Sequence, residues 1–449
     1  MYNIIDPTCF SPSEEQLLIA LLQSKPESAV WQPGKYYSVK LAEPAQSEQV
    51  LLPFYIVKAR SRKRGYKYHV VTSESIGSGS YGDVYPVIRS YWIEEIDGVL
   101  QLKYKEKPYG KRKVDKIVDT LKHDDSESLT INEYIQNKRT PSLSPKPLVR
   151  SGTEIHAIMN RKEGDELFEI ISAERTPVRD PLTFEMRLPK PLTIKERFKL
   201  TINLLQALQE EVIDAGLLHR DIKLENIRAD VKTGTVSFVD FNLSRIATDV
   251  MLPGSDGAGS YCYAAPEIFQ NKGCSLQSDL LATGRVIALI WGDINPLMDS
   301  EGRIGREADI ALAYARSNTF HNLFSQPEGA MSSLKPQARK IILETLMQMT
   351  AFNPRIRTDC QKALEQFKQA YAAQFRHEYG TDEKKSARRS LSIALSNIAE
   401  ASDASKKAVN TKTTVKTALG KALNFFKPHK SQSEKQAAFA QKEAKRISA

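Results

Sequence analysis

The stretch "HRDIKLENIRADVKTGTVSFVDFNLSR" (residues 219–245) decides how this 449-residue chain is read. Two acids, Asp221 and Asp240, bracket a lysine and an asparagine, and a short apolar run leads up to the second acid. Just upstream, "TIKERFKLTINLLQALQEEVIDAG" opens with a Thr193/Glu196 capping box. It carries an apolar stripe of Phe198, Leu204, Leu205, Leu208 and Val212 and stops at Gly216, which predicts a helix. Downstream, "SDLLATGRVIALIWG" and "QARKIILETLMQM" also have helical periodicity.

Further upstream the pattern is different. From Tyr66 to about Met159 short β-patterned runs dominate, with one helical candidate after Asp124. Asp97-Gly98, between "RSYWIEEI" and "VLQLKYKE", predicts a tight hairpin. A β-rich lobe followed by a helical lobe is an α+β arrangement with a cleft between the two. Ahead of it, "SPSEEQLLIALLQS" predicts a short helix capped by Ser11 and Glu14, with Pro12 at its first position and Leu17, Leu18, Leu21 and Leu22 as its stripe. Strand-like "KYYSVKL" and "LPFYIVKA" and the basic run "RSRKRGYK" follow.

Lys and Arg outnumber Asp and Glu by 64 to 54, a formal charge of +10. Fifteen Lys/Arg against six Asp/Glu lie beyond residue 381, so nearly all the excess sits on an Ala/Ser/Lys-rich tail. A nucleic-acid binder carries its basic charge on the folded body, so no nucleic acid is expected as a partner. Cys9, Cys262, Cys274 and Cys360 have neither metal-ligand spacing nor the density of a disulfide framework, and read as reduced thiols. No secretory leader and no apolar run of about 20 residues is visible, so a soluble, cytoplasmic chain is expected.

"IGSGSYGDV" (76–84) sets Gly77, Gly79 and Gly82 between two strand-like runs, with Ile76 and Val84 flanking. Glycines let a backbone come close to phosphates. A strand follows the array where a dinucleotide fold requires a helix, which favours a hairpin lid.

With "HRDIKLEN" these motifs bring the chain to resemble the eukaryotic-type Ser/Thr protein kinases over roughly residues 66–370. The resemblance implies a bilobal α+β fold with an N-lobe of about 66–160 and a C-lobe of about 161–370. An N-terminal extension (1–65) would precede it and a basic tail (371–449) would follow. ATP and Mg²⁺ would be the cofactors and a protein the substrate. Asp221 resembles the acid that orients the substrate hydroxyl and takes its proton, and Lys223 the lysine that steadies the moving phosphoryl group. Asn226 and Asp240 resemble the metal ligands. "GSYCYAAPE" (259–267) resembles the close of an activation loop, with Ser260 near Asp221 and Lys223. Glu267 would pair with Arg357 of "NPRIRTD", and Asp279 would hold the catalytic loop's backbone. "HAIMNRKEGDELFEII" resembles the hinge, with Met159 as gatekeeper, Asn160 to Lys162 facing adenine and Glu166 near the ribose.

The nucleotide lysine stays open between Lys116, the favoured candidate, and Lys113; Lys122 stands close to Glu133 for the role. Lys116 lies 17 residues ahead of Glu133, whose segment "LTINEYIQN" resembles the helix that completes the ion pair. Asp115 beside it is unusual. Two departures touch the site. Asn242 replaces the glycine after "DF"; Asn tolerates left-handed backbone best after Gly, so the expected backbone cost is about 1 kcal/mol and the metal ligand at Asp240 is kept. Arg228 stands where a leucine floors the base, and its stem can still cover it. If these changes mark lost chemistry, the alternative is a pseudokinase or nucleotide-binding scaffold.

Thr248 and Ser255 are candidate phosphate acceptors facing Arg220, and "ARRSLS" places Ser390 and Ser392 as autophosphorylation candidates. In the tail, Val415, Leu419, Leu423 and Phe426 alternate loosely with lysines, a pattern suited to an acidic membrane surface or an acidic partner. The extension and the insertions near Asp97 and between Arg175 and Lys190 resemble effector kinases of the Legionella type. That likeness implies virulence, translocation into a host cytosol and host proteins as substrates.

Overall fold

The computed structural model describes residues 3–4, 10–25, 28–41, 47–61, 63–79, 82–104, 112–174, 178–179, 186–187, 191–247, 260, 262–293, 320, 323–324 and 331–375. The candidate acceptors Thr248, Ser255, Ser390 and Ser392, most of the 175–190 insertion and the amphipathic tail segments lie outside them.

Nine strands form one antiparallel sheet: β1 (Val30–Trp31), β2 (Tyr55–Ser61), β3 (Gly65–Val71), β4 (Gly77–Gly79), β5 (Gly82–Ile96), β6 (Val99–Tyr104), β7 (Lys113–Asp119), β8 (Val149–Ser151) and β9 (Glu154–Asn160). Their order is β8-β9-β7-β5-β3-β2-β1, with β4 and β6 also paired to β5. The Asp97-Gly98 hairpin forms as expected: both residues have positive φ (52° and 76°), and Ile96 pairs with Val99 across the turn. The basic run falls on the β2–β3 turn.

The boundary expected at residues 65/66 falls inside that β2–β3 hairpin, so the extension continues the sheet. Helix α1 (Pro12–Ser24) carries the expected capping box, and its leucines are buried against Trp31, Tyr37, Phe54, Tyr91 and Leu102. Leu102 lies on β6, so the extension and the Asp97 hairpin share one core. Period-two patterning predicts each strand but not its partner, which is why the join was not visible locally.

Asp115 belongs to this join. It is fully buried on β7, and its Oδ2 lies 2.7 Å from His156 Nδ1 on β9. Glu154 Oε2 stands 3.8 Å from Nε2 and accepts from Gln32 of the extension. Burial alone would lower the His156 pKa, but Asp115 and Glu154 outweigh it and raise it to about 9. A folded pKa above the unfolded value of 6.5 gives stability that is complete below 6.5 and lost as pH rises through about 9. Burial pushes Asp115 up as well, a shift of the same sign, whose stabilisation is likewise lost as pH rises. The urea midpoint should therefore fall between pH 6.5 and 9, and Asp115→Asn should flatten that fall. A wild-type midpoint level across the window would refute the pairing.

Helix α2 (Ser126–Asn137) leans on the sheet; the second lobe is helical, with α3 (Leu167–Ala173), α4 (Ile194–Ala207), α5 (Pro266–Phe269), α6 (Leu276–Ile290), α7 (Pro336–Met349) and α8 (Cys360–Gln374). The Thr193 capping box forms and the predicted stripe is buried throughout. Helix α6, the most apolar run, is buried on all sides from Ser278 to Ile290. Among the described residues no helix is long and apolar enough to cross a membrane.

Candidate active site

Strand alternation selects the lysine. Val114 and Lys116 on β7 share the face turned to the cleft, and Lys113 and Asp115 take the other. Lys116 Nζ lies 2.8 Å from Glu133 Oε2 on α2 and 3.1 Å from Asp240 Oδ1. Burial opposes the charge on Lys116, but the Asp240 and Glu133 carboxylates outweigh it and push its pKa up. Burial likewise opposes the charge on Asp240, and the Lys116 ammonium outweighs it and brings the pKa below the usual aspartate range. Glu133 is pushed up by burial, which Lys116 only partly offsets. Lys122 instead reaches the Gly79 carbonyl at 3.5 Å.

One cleft is lined by Ile76, Gly77, Gly79, Gly82, Val84, Lys116, Glu133, Met159, Glu166, Asn226 and Asp240. Asn160, Arg161 and Lys162 line the same cleft. The three glycines differ in what constrains them. At Gly82 φ is +133°, and a Cβ would stand 2.7 Å from the Ile117 carbonyl oxygen; at Gly77 a Cβ meets nothing. Gly82→Ala should therefore cost about 2 kcal/mol or more in urea unfolding, while Gly77→Ala stays within about 0.5 kcal/mol. Equal effects would contradict this geometry.

Asp221 is buried and lines a small pocket of its own with Ser260 and Tyr263. Its Oδ1 accepts from Ser260 N and Oγ at 3.1 and 3.2 Å, and its Oδ2 lies 3.4 Å from Lys223 Nζ. Asn226 Nδ2 donates to the Asp221 main-chain O and Oδ2, both at 2.9 Å. These bonds occupy the amide nitrogen of Asn226 and leave its carbonyl oxygen, with the Asp240 carboxylate, as hard donors of the kind Mg²⁺ takes. Buried Asp279 on α6 accepts from the backbone N–H groups of His219 and Arg220 at 2.7 and 2.9 Å, which fixes the loop that carries Asp221. Glu267 and Arg357 form a buried two-bond pair.

One expectation changes. The left-handed backbone is at Asp240 (φ 62°) and Arg220 (φ 69°), and Asn242 is not among the positive-φ residues. The expected strain at Asn242 is therefore absent. Asn242 is buried instead, and its carbonyl accepts from Asn132 Nδ2 of α2 at 2.7 Å; the same amide also donates to Ser244 O at 2.9 Å. Sequence reading missed Asn132, whose partners lie 110 and 112 residues away. Arg228 lines the cleft, while its guanidinium donates to the Gly164 carbonyl and lies 3.6 Å from Glu166 Oε1.

Asn132→Leu should lower the free energy of urea unfolding by about 2 kcal/mol, since it removes two bonds of about 1 kcal/mol each between α2 and the Asp240 segment. An unchanged urea midpoint would show that the amide ties nothing together.

The sequence model of the protein kinase domain matches residues 70–367. The chain is 26% identical over 238 residues to the serine/threonine-protein kinase DCLK3 of Homo sapiens, covering 52% of this chain and 31% of that relative. It is 26% identical over 223 residues to the serine/threonine-protein kinase Nek1 of Mus musculus, covering 48% and 16%. It is 31% identical over 144 residues to the probable serine/threonine-protein kinase PknB of Corynebacterium glutamicum, covering 31% and 19%. The chain thus spans about a third or less of these relatives' lengths.

Proposed function

The chain belongs to the protein kinase family, and on that premise we propose that it transfers the γ-phosphoryl group of ATP to Ser and Thr hydroxyls of proteins, with Mg²⁺. The observation that carries this reading is the constellation of Lys116, Glu133, Asp240 and Asn226 in one cleft, with Asp221 joined to it through Asn226. Asn226 and Asp240 would hold the metal, which when bound neutralises charge on the β- and γ-phosphates. Lys116, fixed by Glu133, offers its ammonium to the phosphates. Asp221 orients the acceptor hydroxyl and takes its proton as the new P–O bond forms and the bond from γ-phosphorus to the β-γ bridging oxygen breaks. ADP leaves with that oxygen. Lys223, beside Asp221, steadies the group in transit.

The test is incubation of the purified chain with γ-labelled ATP, Mg²⁺ and a mixed protein acceptor, beside Asp221→Ala, followed by acid hydrolysis. Phosphoserine and phosphothreonine from the wild type alone are expected, with some label on the chain itself. Equal labelling by both proteins would overturn the reading, and nucleotide binding without transfer would make the chain a scaffold.

The effector resemblance adds host proteins as substrates; phosphopeptides equal in host cells expressing wild type or Asp221→Ala would dismiss it. The basic tail segments suit acidic membrane surfaces or acidic partners, and equal sedimentation with neutral and anionic vesicles would dismiss the membrane.

A further inference from the structure

Helix α4 is regular to Ala207 and then widens into a π-helical turn over Leu208–Ile213. A π turn closes its hydrogen-bonded rings over one more residue than an α turn, which rotates the side chains on it, and such turns gather at functional positions. No Pro or Gly within Leu208–Ile213 accounts for the widening. The side chain it carries to an unusual set of partners is Glu211.

Glu211 Oε1 accepts from Lys162 Nζ at 2.5 Å and from Ser142 Oγ at 3.1 Å. Its Oε2 accepts from the backbone N–H of Phe238 at 2.9 Å, and its main-chain carbonyl accepts from Thr140 Oγ1 at 3.4 Å. The Lys162 and Glu211 side chains are only 8% and 13% exposed, so water screens the pair little.

These partners belong to three different segments. Lys162 follows β9 and lines the cleft. Thr140 and Ser142 lie in the loop leaving α2, the helix that carries Glu133. Phe238 stands two residues ahead of Asp240. We propose that Glu211 is a positioning residue: its carboxylate holds the base-side rim of the cleft, the Glu133 helix and the strand leading to Asp240 in one register, and so sets nucleotide affinity. This rests on the reading of the cleft as a nucleotide site.

The chemistry of the alternatives makes the role specific. A glutamine at 211 offers one acceptor oxygen to two donors, and its NH₂ faces a third donor or an ammonium. The Lys162 charge, no longer neutralised, then stands at the rim of the base pocket. Lys162→Met removes that charge and leaves Glu211 on Phe238. Glu211 keeps its bonds from Ser142 and Phe238 in that variant, so it remains informative if Glu211→Gln is poorly folded.

The test uses the full chain as wild type, Glu211→Gln, Lys162→Met and the double variant. Calorimetry reads the Kd of a non-hydrolysable ATP analogue with Mg²⁺, kinetics reads kcat and KM for ATP, and thermal melting reads the folded fraction. Each single change should raise Kd and KM about tenfold, the loss of one charge-assisted bond, with kcat within about threefold. The double variant should be no weaker than the poorer single one, because both remove the same interaction. Unchanged Kd in folded variants, additive losses, or kcat falling with KM unmoved would overturn the proposal. A wild type that binds no nucleotide would sink the kinase reading with it, whereas normal wild-type binding with unaltered variants sinks this proposal alone.

Discussion

Lys116→Met is expected to lower kcat/KM for ATP about 100- to 1,000-fold, the range for removing one preorganised donor from a buried polar site. Lys113→Met should leave activity per folded molecule within about twofold. The asymmetry follows from the strand: Lys116 shares the cleft face with Val114, and Lys113 lies on the opposite one. The loss at 116 is twofold in kind. The phosphates lose their cation, and Glu133 and Asp240 lose the charge that lets two carboxylates share a buried site. Burial and mutual repulsion then favour the protonated form of one carboxylate, weakening metal binding. Activity abolished by Lys113→Met and retained by Lys116→Met would overturn the assignment.

This lysine shows how much of the site was legible in the sequence. "HRDIKLEN" was readable because Asp221, Lys223 and Asn226 lie within six consecutive residues, so their spacing is itself the geometry. The capping boxes at Ser11 and Thr193 and the Asp97-Gly98 turn were readable for the same reason: each is settled within a few residues. Lys113 and Lys116 were harder to separate, because alternation alone does not tell which strand face meets the cleft until both neighbours are known. Asn132 and Glu211 act across 27 to 112 residues, on backbone groups or on side chains with no shared motif, and nothing local marks them. Asn242 misled in the opposite direction. Its residue type suits left-handed backbone, yet the turn places that conformation two residues earlier, at Asp240. Residue preference states what is tolerated at a position, and the surrounding hydrogen bonds decide what occurs there.

Glu267→Ala should destabilise the helical lobe by about 3–5 kcal/mol, the loss for removing one partner of a buried ion pair. Arg357 is held at both ends: its guanidinium gives two bonds to Glu267, at 2.6 and 2.8 Å, and others to the carbonyls of Ala351 and Gln277. The side chains are 0% and 2% exposed, so no water replaces the missing carboxylate. Ser278 Oγ, which donates to Glu267 Oε1 at 2.7 Å, loses that acceptor as well. The functional consequence is directional. Glu267 lies on α5, directly after the segment of Ser260 and Tyr263 that borders Asp221, and far along the chain from the nucleotide lysine. A partly stable variant should therefore lose affinity for the protein acceptor before it loses affinity for ATP. Replacing Glu267 and Arg357 together by Met should recover much of the stability, since no buried charge is then unpaired, but not the acceptor affinity, because α5 no longer has its anchor. Urea unfolding and acceptor KM measured on the single and double variants separate these effects. A single-variant loss below about 1 kcal/mol would mean that the pair does not hold the lobe together.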